Sequence, residues 1–299
     1  HERLVGSEMC IRDRFNHLEK SVLDSLSKKG RVYLVGGIVR DMVMYQKVDY
    51  HDVDVEIYDL EIDEIIDILS QYGKVNEVGK SFGILKLDCL PNFDFALPRI
   101  ERKKGQTHRE FEVEVHKNLD MKIACRRRDF TINAMAYNDS TGLVDEFDGI
   151  NDLNKGIIRC VGDAKERFTE DALRMMRAIR FSAQLGFDIE ENTYNAISKL
   201  SPSISHVSME RIQVELVKTL LSDNPGYVMR FYETGLFKYV LPDIGRVLGG
   251  RYSRNALTML KFSKKQPVFR YAALLNTLEP ENVRKTLREL KLDNYTVEH

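Results

Sequence analysis

Apolar residues recur at helical spacing over residues 11–26 (Ile11, Phe15, Leu18, Val22, Leu23, Leu26) until Lys28-Lys29-Gly30 interrupts them, which predicts an amphipathic helix. Arg31-Val32-Tyr33-Leu34-Val35 follows as a strand and breaks at Gly36-Gly37, after which residues 38–45 are again helical in period. The period then changes to two. Asp52, Asp54 and Glu56 alternate with Val53, Val55 and Ile57, and because strand side chains switch face at every residue, one face reads as acidic and the other as core. Residues 60–72 return to a helical repeat through Ile62, Ile65, Ile66 and Leu69 and close on Gly73. Two short strand candidates, 83–87 and 93–97, separated by Pro91-Asn92, read as a hairpin. Residues 98–112 are charged, contain Gly105 and carry no apolar period, so they read as a mobile loop.

Downstream the pattern is mostly helical. Arg126-Arg127-Arg128 precedes the apolar Phe130-Thr131-Ile132-Asn133-Ala134-Met135-Ala136, and the strand-like Gly142-Leu143-Val144 runs into Asp145-Glu146-Phe147-Asp148-Gly149. Residues 169–185 give the sharpest arithmetic: at about 100° per residue, Ala172, Met176, Ile179 and Ala183 share a narrow arc while Asp171, Arg174 and Arg177 lie opposite. Residues 227–239 and 280–292 are also helical in period. Strands mixed with helices first and helices alone afterwards predict an α+β unit followed by an all-helical one.

Length and charge refine this reading without changing it. A chain of 299 residues can bury a substantial core in two or three units. Its formal net charge of -1 hides basic clusters at Arg99, Arg102, Lys103, Lys104 and Arg109, at Arg126–Arg128, and at Arg174, Arg177 and Arg180. Nucleic acid can bind such patches without a basic whole, although charge runs are also common on solvated faces. Cys10, Cys89, Cys125 and Cys160 lie far apart with no metal-like spacing, as expected of reduced thiols in a cytoplasmic protein. No apolar stretch is long enough to span a bilayer, and no signal peptide is evident. No internal repeat or low-complexity tract interrupts the chain.

The chemistry concentrates around Gly36. A strand that breaks into two glycines before a helix lets backbone N–H groups face phosphates. Two carboxylates on one face of a nearby strand supply the oxygen donors that hard cations take. A lone D-x-D is common at strand ends, and a lone Gly-Gly is no more specific.

Several motifs together go further. Gly36-Gly37-x-x-Arg40-Asp41 with Asp52-x-Asp54, then Arg127-Arg128-Asp129-Phe130-Thr131-Ile132-Asn133-Ala134, then Glu170-Asp171-x-x-Arg174-x-x-Arg177 resemble, in order and spacing, the class II tRNA nucleotidyltransferase and bacterial poly(A) polymerase family. The resemblance runs from about residue 32 to about residue 216. It implies a nucleotidyltransferase head with a small mixed sheet (1–149), a helical neck with a nucleotide-reading helix (150–216) and a helical body (217–299). The family's tail is expected to be missing from this chain.

By resemblance, Asp52, Asp54 and Asp94 form the catalytic set, with Asp52 and Asp54 as Mg2+ ligands. Gly36, Gly37, Arg40, Arg128, Asp129, Asn133, Asp171, Arg174 and Arg177 bind nucleotide. Arg128 is assigned to the triphosphate, Asp129 to a ribose hydroxyl, and Asp171 with Arg174 to the base. Residue by residue, plainer readings stay open: Asp94 as an exposed strand carboxylate, Asp129 as a helix cap, and Asp171 with Arg174 as a surface ion pair. Arg102, Lys103, Lys104, Gly105 and Arg109 correspond to a loop that switches the family between CTP and ATP. Ser208-x-Glu210-Arg211-Ile212-x-x-Glu215-Leu216 resembles a motif whose Arg–Glu network braces the base-reading helix.

The implied activity is template-independent addition of CMP and AMP from CTP and ATP to tRNA, with release of pyrophosphate. A CC-only or A-only enzyme, a poly(A) polymerase, and a non-catalytic RNA-binding protein of the same fold are the alternatives. Tyr271-Ala272-Ala273-Leu274-Leu275-Asn276-Thr277 stands where some relatives carry a His-Asp phosphohydrolase pair, and no such activity is expected. Nothing in these patterns specifies the oligomeric state.

Overall fold

The computed structural model describes residues 15–45, 52–78, 83–103, 111–115 and 117–298, with 99–103 and 111–115 at the level of the backbone. The chain forms two compact units, His1–Leu153 and Asn154–His299.

In the first unit, α1 (His17–Ser27) leads into β1 (Arg31–Val35), α2 (Gly37–Met44), β2 (Val53–Tyr58) and α3 (Ile62–Leu69). Then come β3 (Val75–Val78), β4 (Ile84–Leu87), β5 (Leu90–Ala96), β6 (Arg99–Lys103), β7 (Phe111–Val115), α4 (Met121–Arg126), a 3-10 turn at Thr131–Asn133, β8 (Ala136–Asn138) and β9 (Gly142–Val144). The start of α1 is set by a capping box. Asn16 accepts from the Glu19 amide at 3.0 Å, and the Glu19 carboxylate accepts from the Asn16 amide at 2.8 Å, an arrangement worth about 1 kcal/mol.

Seven strands form one sheet in the order β3-β4-β5-β2-β1-β8-β9. Only β2 and β5 run parallel; the other neighbours are antiparallel. It is a mixed sheet, as expected, with β2 and β5, the strands that carry Asp54 and Asp94, near the centre.

Alternation along these strands divides the sheet into two faces. Val53, Val55, Ile57, Phe93 and Phe95 lie on one and are all buried, with Phe15 packed on Phe93 at 5.8 Å between ring centroids. Tyr33, Val35, Tyr58 and Ala136 lie on the other, clustered with Leu119 and Ala124 from α4 and its approach. The second face is therefore covered too, and Glu56, on that face, is 3% exposed. The acidic face read for β2 is only partly open: Asp54 reaches solvent while Glu56 is buried, because a central strand beneath a helix has little free side there.

Two other expectations are corrected. The β4–β5 hairpin turns at Asp88-Cys89, while Pro91 and Asn92 lie within β5. Residues 98–112 are not simply a loop: β6 and β7 pair antiparallel from Arg99 opposite Val115 to Lys103 opposite Phe111. The alternation Phe111-Glu112-Val113-Glu114-Val115 carried that strand signal. Lys104, Gly105 and Arg109 lie outside the described residues, and Arg102 and Lys103 sit on β6.

After α5 (Gly149–Lys155), the second unit has a two-stranded parallel pair, β10 (Ile157–Ile158) and β11 (Asp188–Ile189). The rest is helical: α6 (Ala164–Glu170), α7 (Leu173–Leu185), α8 (Glu191–Leu200), α9 (Met209–Leu220) and shorter helices to Glu298. The single helix expected over 169–185 is instead two. Asp171 stands between α6 and α7 in extended backbone, φ -143° and ψ 107°. The arc of Ala172, Met176, Ile179 and Ala183 is fully buried. Among the described residues, no helix is long and apolar enough to cross a membrane.

Candidate active site

Sheet register assembles the first part of the site. Val35 on β1 is opposite Asp54 on β2, and Asp54 is in turn opposite Asp94 on β5. The same row continues to Lys86 on β4 and to Ala136 on β8. Gly36, which follows Val35, therefore leaves the sheet at the level of both carboxylates. It adopts φ 77°, a conformation open to glycine at little cost. A Cβ there would stand 3.1 Å from Arg128 Nη1 and 3.4 Å from Asp54 Oδ2. The glycine turn, a guanidinium and a carboxylate thus converge on one small volume.

Asp54 is crowded enough to lose much of its water although the residue reaches solvent. This desolvation pushes its carboxyl up; Arg128 opposes the rise, and the negative charges of Asp94, Asp52 and Glu56 add to it. Asp94 is half-buried and ion-paired with Lys86. Asp52 is exposed just before β2. Among the described residues, no three His, Cys, Asp or Glu side chains converge on one cation position, so the three aspartates are a row with a flanking member and not a closed cage. Two register-paired carboxylates with mutually repelling charge nevertheless have the donor chemistry that suits a divalent cation.

The arginine-rich segment is held from beneath. Glu56 Oε1 accepts from Arg127 Nη2 at 2.5 Å and Arg128 Nη2 at 2.9 Å, while Oε2 accepts from the Tyr58 hydroxyl at 2.9 Å. Burial alone would raise the Glu56 pKa, but the two guanidiniums and the phenol hold it below the usual carboxylate range. Arg40 is also buried, donating to Asp41 at 2.7 Å and to Asn133 Oδ1 at 2.9 Å. Asp129 accepts from the Phe130 amide at 2.9 Å and from Asn133 Nδ2 at 3.4 Å. Gly36, Arg40, Arg128, Asp129 and Asn133 therefore form one polar cluster around the glycine turn. Gly37 opens α2 beside it.

Asp171, Arg174 and Arg177 belong to the second unit. Asp171 accepts from the Leu173 amide at 3.1 Å and pairs with Arg211 at 2.7 Å. Arg174 pairs with Glu170 at 2.6 Å and donates to the Arg167 carbonyl at 3.3 Å. The simple i,i+3 pairing of Asp171 with Arg174 is thus replaced by two separate pairs, since Asp171 stands outside the helix that carries Arg174. The Arg177 guanidinium lies 5.4 Å from the Phe181 ring centroid. Behind α7, Arg180 Nε stands 2.6 Å from Glu215 Oε2 on α9, both nearly buried.

Tyr58 and Lys86 were not singled out by the sequence, whereas Glu56 stood on the acidic face of β2, Glu170 at the head of its motif and Glu215 in the motif with an Arg–Glu network, each without its partner, which the structure gives as Arg127 and Arg128, Arg174, and Arg180. Glu56 was the most accessible to reasoning: it shares Asp54's face, and a buried carboxylate requires cationic partners, which the tribasic segment offers.

Residues 32–159 match the poly A polymerase head domain, and residues 186–248 match a domain described as the probable RNA and SrmB-binding site of polymerase A. A CCA-adding enzyme of Ligilactobacillus salivarius is 40% identical over 223 residues, covering 73% of this chain and 53% of that protein. One of Enterococcus faecalis is 34% identical over 283 residues, covering 93% of this chain and 67% of that protein. The chain thus spans about half to two thirds of the length of these relatives. The crystal structure of the Bacillus stearothermophilus CCA-adding enzyme in complex with CTP superposes with a TM-score of 0.75 at 27% identity, covering 95% of this chain and 68% of that one. With its head sheet, its glycine turn and its ordered motifs accounted for together, the chain belongs to the CCA-adding enzyme family.

Proposed function

We propose that the protein transfers CMP and AMP from CTP and ATP to the 3′ end of tRNA without a nucleic-acid template, releasing pyrophosphate. The observation that carries this reading is the row from the glycine turn through Asp54 to Asp94, with Arg128 Nη1 beside Gly36. A turn that faces phosphates, a guanidinium fork and adjacent carboxylates are the parts that nucleotidyl transfer requires. The CTP named with the Bacillus stearothermophilus relative fits such a turn.

In this reading, Asp52 and Asp54 hold Mg2+, with Asp94 completing the row. Bound there, the ion would neutralise phosphate charge and make the attacking hydroxyl more acidic. Gly36 leaves room for the triphosphate where a Cβ would crowd Arg128 Nη1 at 3.1 Å and be strained at φ 77°. Arg128 binds its oxygens, and Arg40 fixes Asn133 and thereby the 3-10 turn that carries it. Asp129 accepts from a ribose hydroxyl. In the helical neck, residues 150–216, Asp171 and Arg174 supply the hydrogen-bonding edges that read the base, while Arg177 meets phosphate. The head is residues 1–149 and the body residues 217–299. Cys89 and Cys125 are free thiols, which suits the reducing cytoplasm.

The test is incorporation from each of the four labelled nucleoside triphosphates, with Mg2+, into tRNA lacking its 3′ end. CMP and AMP should enter and UMP and GMP should not. Equal use of all four, or of none, would contradict the proposal.

A further inference from the structure

Arg128, assigned to the triphosphate, also touches a buried carboxylate, Glu56. Glu56 is two residues beyond Asp54 on the same strand and the same face. A strand places such residues side by side, so Arg128 has two carboxylates within reach. It pairs with Glu56, at 2.9 Å through Nη2, while its other arm, Nη1, faces the glycine turn.

The choice of partner has consequences. Glu56 is fixed by three donors, from Arg127, Arg128 and the Tyr58 hydroxyl, and Tyr58 is itself packed edge-on against Tyr33 with ring centroids 5.4 Å apart. Asp54, by contrast, reaches solvent and is surrounded by other acidic groups. If Glu56 carried no charge, the nearest acceptor for the Arg128 guanidinium would be Asp54, and a guanidinium paired there would compete with any cation for the same oxygens.

Resting on the nucleotidyl-transfer reading, we propose that Glu56 is a positioning residue. It anchors one arm of Arg128, leaves the other aimed at the glycine turn for phosphate, and so keeps Asp54 available to a divalent cation. One strand thereby supplies both a cation ligand and the counter-charge that protects it. Arg127, on the same Glu56 oxygen, balances the remaining charge.

The experiment is a double-mutant cycle on binding, without turnover. Dissociation constants for CTP, by equilibrium dialysis, and for Mn2+, by electron paramagnetic resonance, are compared in the wild type, Glu56→Gln, Arg128→Met and the double variant. Glu56→Gln should weaken both ligands about tenfold in the wild-type background and by less than twofold when Arg128 is already methionine, because no guanidinium is left to misplace. The same weakening in both backgrounds would make Glu56 a merely structural residue, and unchanged binding in Glu56→Gln would leave Arg128 without need of an anchor. Either result overturns the proposal. If Glu56→Gln does not fold by circular dichroism, Glu56→Asp, which keeps the charge but retracts it by one methylene, carries the same comparison with the same background test. A wild type that binds neither CTP nor Mn2+ would count against nucleotidyl transfer itself and is distinguishable from these outcomes.

Discussion

At the scale of single residues, the site is governed by where each carboxylate finds its counter-charge. Glu56 and Asp54 share a strand face, yet the two guanidiniums and a phenol hold the Glu56 carboxyl low while crowding and like charge push the Asp54 carboxyl up. A glutamate whose folded pKa lies below its unfolded value of about 4.3 contributes stability above that value and loses it as the pH falls through the folded pKa. Thermal unfolding of the wild type should therefore weaken more steeply below about pH 4 than that of Glu56→Gln; parallel pH profiles would show that the pair contributes nothing to the head. The opposite sign holds at Asp54. Its charge is disfavoured by its surroundings, so Asp54→Asn should leave the melting temperature unchanged or slightly raised while abolishing nucleotide transfer, since an amide replaces a negative cation ligand poorly. Near-normal turnover in that variant would remove Asp54 from the mechanism.

At the scale of elements, α7 and the β6–β7 ribbon carry the testable consequences. The apolar arc of α7 was readable from spacing alone, because burial of one face leaves a period in the sequence. Its N-terminal boundary was not. Asp171 has a helical neighbour on each side, and only the carboxylate's bonds to the Leu173 amide and to Arg211 fix the break. The buried Arg180–Glu215 pair joins α7 to α9, and removing one member strands the other charge, so Glu215→Ala should cost about 3–5 kcal/mol in urea unfolding. A loss below about 1 kcal/mol would show that the two helices need no such brace. Arg174→Ala should relax the choice among the four nucleotides or lose it together with rate; unchanged selectivity at reduced rate would make Arg174 a structural partner of Glu170. The ribbon is only half legible: Phe111, Val113 and Val115 alternate with glutamates as a strand should, while Arg99-Ile100-Glu101-Arg102-Lys103 has a single apolar residue and becomes a strand only by backbone pairing with β7. Deleting residues 103–109 should spare CMP incorporation and suppress AMP incorporation. Undiminished AMP addition would mean that this segment does not reorient the base-reading site, and loss of both would indicate a folding defect.

At the scale of the whole molecule, what was legible followed from local rules and what was not followed from register. The glycine turn, the D-x-D strand and the arginine segment each have a local signature, and their order along the chain identifies the family. That Val35, Asp54 and Asp94 stand opposite one another depends on how three strands pair, one of them parallel, and no periodicity encodes that alignment. Lys86 enters the same row for the same reason. The burial of Glu56 depends on α4 covering the sheet, which is a tertiary fact. In the proposed function these parts serve one reaction, and the length of the product tests it most directly. When the protein is incubated with Mg2+, CTP, ATP and a tRNA that ends at the base before CCA, the product should grow by three nucleotides and stop, with only two added when ATP is withheld. A ladder of many added adenylates, or no extension by a folded protein, would contradict the account.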